Sequence, residues 1–291
     1  MHNTLPKIGL AFLSIYLIWG SNYAALSLAV DQASPLLIAG SRAVLAGPLL
    51  LLAGIMMGKP LPTRLDDYLV MGLSGVLVLV VASVTVTWAQ QWVPSGVSAV
   101  IMASSAVWLT VFGALGKRGE RPTVLQWFSL FLGLVGLLVV LSRGRSDPIA
   151  MPIGPALAVL GAAMSMALGT LLMRRRPINC HPVMAAGIQS CVAGGLLVLV
   201  CTASWDDLHW HWSTSLFMEV AYLSIFGSGI AYVLYCWLAT QVAPSKLSSV
   251  VYVSPAVAVL IGFAFLGEVL SPLQWLGIGA ILLATLLLTR D

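Results

Sequence analysis

The sequence predicts an all-α integral membrane protein of ten transmembrane helices, arranged as two inverted five-helix repeats with both termini in the cytoplasm. Three observations carry this. Of 291 residues, 59% are hydrophobic and 8% charged, whereas a soluble domain carries roughly 25% charged residues; so few polar side chains cannot cover a water-facing surface. Ten apolar stretches approach the ~20 residues that a helix needs to cross hydrocarbon. Finally, small motifs of the first half recur in the same order in the second.

The first stretch, Ile8–Val30, exceeds the roughly 7–15 apolar residues of a cleavable signal and reads as a retained helix. Pro35–Met57, Tyr68–Gln91, Pro94–Gly116 and Val124–Leu141 complete the first half. Pro152–Met173, Pro182–Ala203, Thr214–Ala239, Ser245–Leu266 and Pro272–Thr289 form the second. Several open on proline, whose missing N–H costs nothing in a first helical turn. No connection exceeds ten residues, the length of Ser204 to Ser213, which leaves no room for an extramembrane domain. With the N-terminus inside, the cytoplasmic segments hold Lys7, Lys59, Arg64, Lys117, Arg118, Arg121, Arg174, Arg175, Arg176, Lys246 and Arg290, against Arg143 and Arg145 outside. That bias is the positive-inside signal, and it makes the net charge of +4 a topology marker rather than a nucleic-acid footprint.

The repeat is read from an ordered series. A shift of 147 lays Pro35 on Pro182, Ala39-Gly40 on Ala186-Gly187, and Ala46-Gly47 on Ala193-Gly194. A shift of 150 lays Gln91 on Gln241, Pro94-Ser95 on Pro244-Ser245, Ser98 on Ser248, and Ser104 on Ser254. A shift of 148 lays the Gly119-Glu120 and Leu125-Gln126-Trp127 of one turn on the Gly267-Glu268 and Leu273-Gln274-Trp275 of another. The halves are residues 1–145 and 146–291. Five helices per half is an odd number, so the halves enter the membrane in opposite senses, an architecture of secondary transporters that suits alternating access. Glu120 and Glu268 precede helix starts, where a carboxylate favours the dipole, and are not read as catalytic.

Chemistry inside the spans is sparse. No GxxxxGK[ST] and no HExxH occurs, and no histidine lies well inside a span; nucleotide-driven transport, a zinc hydrolase and any cofactor are unsupported. Cys180, Cys191, Cys201 and Cys236 lack metal spacing and read as small buried hydrophobes. The Ser204–Ser213 connection carries Asp206, Asp207, His209 and His211 with Trp205, Trp210 and Trp212. The tryptophans read as interfacial anchors; a metal site is the alternative, and an enzyme reading would need that cluster. Arg42 and Glu219 are the ionisable groups clearly within spans, and intramembrane charge marks function by default. Arg42 either snorkels to a structural partner or contacts a substrate carboxylate. Glu219 is either interfacial or the titrating carboxylate of a proton antiporter.

The expected cavity is polar and aromatic. Trp19, Asn22, Tyr23 and Arg42 would line it, with Trp19 and Tyr23 on one helix face beside Gly20, whose missing side chain gives room. Thr87, Trp88, Ser98, Ser104, Trp108, Tyr232, Tyr235, Ser248 and Tyr252 would complete the wall. Such a lining suits a neutral or zwitterionic small molecule. With so few titratable groups, the reading is a facilitative exporter in the lipid bilayer with no obligate protein partner, and a proton-coupled drug/metabolite antiporter using Glu219 is the alternative.

The stretch IWGSNYA (Ile18–Ala24), the arginine of SRAV (Ser41–Val44) and the two Gly-Glu turns resemble the drug/metabolite transporter superfamily, with an EamA-type five-helix repeat present twice. The resemblance implies an inner-membrane exporter of amino acids and other small metabolites, with YddG-type exporters of aromatic amino acids as the nearest members. It also implies that the fifth and tenth spans stand at the periphery of a pathway formed by the other eight. The second half departs from the first: Gln189 stands where the first half has Arg42, and Met166-Ala167 falls opposite Trp19-Gly20.

Overall fold

The computed structural model describes residues 5–89, 91–93, 98, 101–115, 121–141, 153–176, 178, 180–204, 208–247, 249–265 and 272–289. Its elements are α1 (Leu5–Val30), α2 (Pro35–Met56), α3 (Leu65–Ala89), α4 (Ile101–Ala114), α5 (Val124–Leu141), α6 (Ile153–Arg175), α7 (Pro182–Ala203), α8 (Thr214–Gln241), α9 (Ser249–Phe265) and α10 (Pro272–Thr289), with a helical turn at Pro244–Leu247. Five of these, α2, α3, α6, α7 and α8, are long and apolar enough to cross a membrane, and α4, α5 and α10 are shorter apolar helices. Among the described residues no β-strand forms. Leucines recur on outer faces, as at Leu10, Leu13 and Leu17 of α1 and Leu45, Leu49 and Leu52 of α2, all about half exposed. Rows of exposed leucine at helical spacing are what a lipid-facing stripe requires.

In lipid, helices gain nothing from hiding apolar surface from one another, so close packing through small residues decides which ones meet. The α2–α7 pair illustrates this. A Cβ on Gly47 would lie 2.8 Å from the Cys191 nitrogen, and one on Gly54 would lie 2.1 Å from the Met184 sulfur. From the other side, Gly187 abuts Leu51 and Gly194 abuts Val44. As numbers rise on α2 they fall on α7, so the two helices run antiparallel, and the Ala-Gly pairs that mark the repeat are their contact surface. The α5–α10 pair is similarly close at Gly136, which faces the Gly277 carbonyl.

The remaining contacts come in matched sets. Helix α1 packs on α8 and α9, while α6 packs on α3 and α4. Helix α3 packs on α7, while α8 packs on α2. Raising or lowering each helix number by five turns one set into the other.

Two helices widen midway. Helix α3 is π-helical from Val76 to Ala82, and α8 is π-helical from Leu223 to Ala231. Such segments disturb the regular i to i−4 ladder and often sit at functional places.

The two ends of the bundle are closed by different chemistry. At one end, Arg174 donates to the carbonyls of Ala239 and Val242 beyond the last turn of α8, and Arg175 donates to those of Phe112 and Leu115 at the end of α4. Orphan carbonyls and the negative pole of a helix terminus both favour a cation there. At the other end, the connection from α7 to α8 clasps the α1–α2 turn. Ser34 N–H donates to the His209 carbonyl at 2.9 Å, His211 N–H donates to Gln32 at 2.9 Å, and Ala33 pairs with Trp210. His209 and His211 thus hold backbone and the Ser34 hydroxyl; Trp205, Asp206, Asp207, Glu120 and Glu268 lie outside the described residues.

Candidate functional site

A cavity of about 210 Å³ opens between α1, α2, α3, α4, α6, α8 and α9. Both π-segments form its wall, Val78, Leu79 and Ala82 from α3 and Gly227 and Ser228 from α8. No described residue of α5, α7 or α10 lines it.

Arg42 is the charged group in this lining. It is half-buried on α2, and its Nε donates to Ser228 Oγ at 3.2 Å. A guanidinium has five N–H donors in a planar fork. Here one is held by the wall, and among the described residues no carboxylate pairs with the group. Glu219 is not its partner. It lies at the clasped end, where Ser215 Oγ donates to one carboxylate oxygen at 2.7 Å and Gln32 Nε2 donates to the other at 3.2 Å.

Asn22 and Trp19 stand on the neighbouring wall from α1. The Asn22 amide packs against Gly227, where a Cβ would come within 2.4 Å of Nδ2. Because Gly227 and Ser228 are consecutive, that amide and the Arg42 guanidinium meet adjoining residues of one π-segment. Trp19 Nε1 donates to the Gly227 carbonyl at 3.3 Å, and its ring lies 5.1 Å from that of Tyr235. Pro255 of α9 supplies no N–H to the carbonyl four residues earlier, which belongs to Val251, another lining residue. Around these polar groups the wall is aliphatic and thioether, including Leu26, Val86, Met102, Met166 and Val250.

Of the residues expected from sequence, Trp19, Asn22, Arg42, Thr87 and Tyr232 are brought together here. The side chain of Tyr23 and the whole of Ser248 lie outside the described residues. The others are placed elsewhere. Trp88 faces outward with Trp92, edge to face at 4.9 Å. Ser98 is buried with no hydrogen-bond partner among the described residues, and Ser104 donates to its own helix at Ile101. Trp108 stacks on Phe112. Tyr235 lies just beyond the cavity, its hydroxyl 2.9 Å from that of Thr170. Tyr252 is fully buried against Gly133 of α5, where its hydroxyl donates to the Leu130 carbonyl at 3.2 Å.

Gly20 also departs from expectation. A Cβ there would meet Val257 at 2.6 Å and the Ser254 carbonyl at 2.9 Å, so it makes room for α9 rather than for a solute. The wall is consequently less aromatic than the sequence suggests. Sequence reasoning missed Ser83, Ser228 and Ser254 of the lining. The Gly227-Ser228-Gly229 triplet was the available signal for one of them, since two small neighbours let a helix approach an intramembrane arginine.

Comparison with known proteins adds independent findings. The profile described as the EamA-like transporter family matches residues 7–142 and again residues 154–290. The chain is 36% identical over 286 residues to the uncharacterized inner membrane transporter YedA of Escherichia coli strain K12, spanning 98% of this chain and 91% of YedA. It is 28% identical over 295 residues to the S-adenosylmethionine/S-adenosylhomocysteine transporter of Chlamydia muridarum, spanning 98% and 92% of the two chains. A solved crystal structure, 19% identical, has the same fold, with a TM-score of 0.81 over 97% of this chain and 98% of the other.

Proposed function

The chain belongs to the EamA-like transporter family, and we propose that it exports neutral α-amino acids by alternating access through the cavity at Arg42. It is a membrane transporter rather than an enzyme, and its place is the inner membrane. The reading has ten spans in two inverted repeats, residues 1–145 and 146–291, with both termini cytoplasmic. The double family match, the antiparallel α2–α7 crossing and the exchange of packing partners between halves support it. The lysine and arginine bias supports the orientation.

The observation that carries the substrate class is Arg42. A guanidinium held by one nitrogen in a mostly apolar cavity, with no carboxylate partner among the described residues, is built to receive a carboxylate from the solute. Asn22 and the Val251 carbonyl supply polar partners for the rest of an α-amino acid head group, and Trp19, Met102 and Met166 meet an apolar side chain. A cavity of about 210 Å³ suits one amino acid better than a drug-sized ligand, since pockets for drug-sized molecules run to roughly 300–1,000 Å³. The relative from Chlamydia muridarum is named for S-adenosylmethionine, which also carries an α-amino acid head group. Glu219 lies away from this cavity, which supports facilitated rather than proton-driven movement.

The test is efflux from proteoliposomes loaded with a panel of aromatic, branched and polar amino acids, their deaminated analogues, and a quaternary ammonium dye. Amino acids should leave saturably and the dye should not. Uphill movement driven by an imposed pH gradient would overturn the facilitative mechanism, and flux of the dye alone would overturn the substrate class.

A further inference from the structure

The cavity at Arg42 is the first of three spaces in a row. Val78 and Tyr232 line both this cavity and a space of only about 10 Å³. Met173 and Cys236 line both that small space and a third of about 450 Å³ at the arginine-closed end. A space of about 10 Å³ holds at most one water, so no solute passes in this arrangement.

A knot of buried polar side chains makes the constriction. Gln189 is 1% exposed, and its Oε1 accepts from Tyr232 Oη at 2.8 Å and, at 3.1 Å, from the Ser74 hydroxyl, whose one proton is shared with the Gly169 carbonyl at 2.8 Å. Its amide nitrogen donates to Cys236 Sγ at 3.7 Å. Beside it the Thr170 and Tyr235 hydroxyls meet at 2.9 Å. The knot therefore ties α3, α6, α7 and α8 together. A buried network that is fully satisfied holds one geometry, and the same network half-broken is costly.

We propose that the space of about 450 Å³ is the vestibule that receives the solute from the cytoplasm, and that the Gln189 knot is the gate between it and the cavity at Arg42. The direction rests on the export reading above. The vestibule suits a carboxylate with an apolar side chain: Arg176 is exposed at its wall, Arg174 is committed to the end of α8, and Met173, Ile178, Pro182 and Ala185 supply apolar surface. An α-amino acid carries N–H donors and carboxylate acceptors that replace the hydroxyls of Tyr232 and Ser74 as it passes. A purely apolar molecule would leave Gln189 buried without partners, which is costly. The gate thereby selects for the same head group as Arg42.

Cys236 is a built-in reporter. With Cys180, Cys191 and Cys201 replaced by serine in the full-length protein, a membrane-impermeant maleimide is applied to inside-out and right-side-out membrane vesicles. Cys236 is expected to label faster from the cytoplasmic side. Tyr232→Phe and, separately, Ser74→Ala should raise that rate roughly two- to ten-fold, the weight of one hydrogen bond. Equal labelling from both sides, or a rate unmoved by either substitution, would overturn the gate. Efflux from proteoliposomes of the unaltered protein, measured beside the labelling, separates the two readings. Faster labelling without efflux of any amino acid keeps the gate and refutes the substrate class; amino-acid efflux with unmoved labelling refutes the gate alone.

Discussion

Arg42 and Gln189 occupy corresponding places on α2 and α7, two helices that cross in close contact, yet their surroundings are opposites. Arg42 lies against a cavity and holds one hydroxyl with one nitrogen. Gln189 lies in a knot that uses both ends of its amide. A shared backbone plan thus supports an open polar site on one side and a closed one on the other. The difference teaches that matching sequence positions need not share a state: a cation that cannot be silenced by a neutral neighbour suits the open side, and an amide that satisfies itself with hydroxyls suits the closed one.

The most forceful way to break this comparison is to remove the charge. Arg42→Gln puts the same side chain at both positions and should lower amino-acid efflux about 10- to 100-fold, since hydrogen bonds to charged groups contribute about 1.5–3 kcal/mol. Arg42→Lys should fall between, because lysine keeps the charge without the planar fork. Rates that match the unaltered protein at equal protein levels would remove Arg42 from the solute path.

The crossing itself comes next, and α7 contains its own control. Gly194 abuts Val44 of α2, whereas a Cβ on the adjoining Gly195 would meet open space. Gly194→Leu should lower the melting temperature in detergent through an overpacking cost of about 1–3 kcal/mol, and Gly195→Leu should not. A smaller effect is expected at the cavity wall. Trp19→Ala should slow efflux of an aromatic amino acid roughly two- to ten-fold more than that of a small aliphatic one, the scale of one aromatic contact. Equal slowing of both would make Trp19 a packing residue.

The smallest effect is in pH. His181 caps α7 by accepting from the Val183 N–H through Nδ1 at 3.4 Å, which needs the neutral ring. Burial, with Lys59 nearby as a lesser cause, lowers its pKa below the ordinary histidine value. A depressed folded-state pKa gives stability that is present above the unfolded value and lost as pH falls through the folded one. The melting temperature should therefore drop slightly between neutral and mildly acidic pH, and His181→Asn should abolish that part of the drop.

Much of this architecture was legible in the chain. The Ala39-Gly40 and Ala46-Gly47 pairs, matched at 186-187 and 193-194, are the α2–α7 contact itself. The repeated Leu-Gln-Trp motif has a local reason in the first half. Gln126 Oε1 accepts from Thr123 N–H while Thr123 Oγ1 accepts from Gln126 N–H, a reciprocal cap at the start of α5. Arg42 stood out because charge in a span is rare. The π-segments were invisible, since a run such as VLVLVVA (Val76–Ala82) has no polar face from which a period can be read. Without them, residue type and helical spacing place Trp108, Tyr235 and Tyr252 in the wall, whereas none of the three lines the cavity. An aromatic residue in a membrane helix packs, anchors or binds, and its sequence looks the same in each case.

The arginine run at the end of α6 has a consequence for engineering. While the chain is still being threaded into the bilayer, Arg174, Arg175 and Arg176 are counted as charge. Once the bundle has formed, Arg174 and Arg175 are read as shape, each fork spanning carbonyls at the end of another helix. Lysine serves the first reader and fails the second. A triple-lysine chain should therefore insert the right way round and yet be looser at that end, so orientation and closure, written with the same three residues, can be uncoupled.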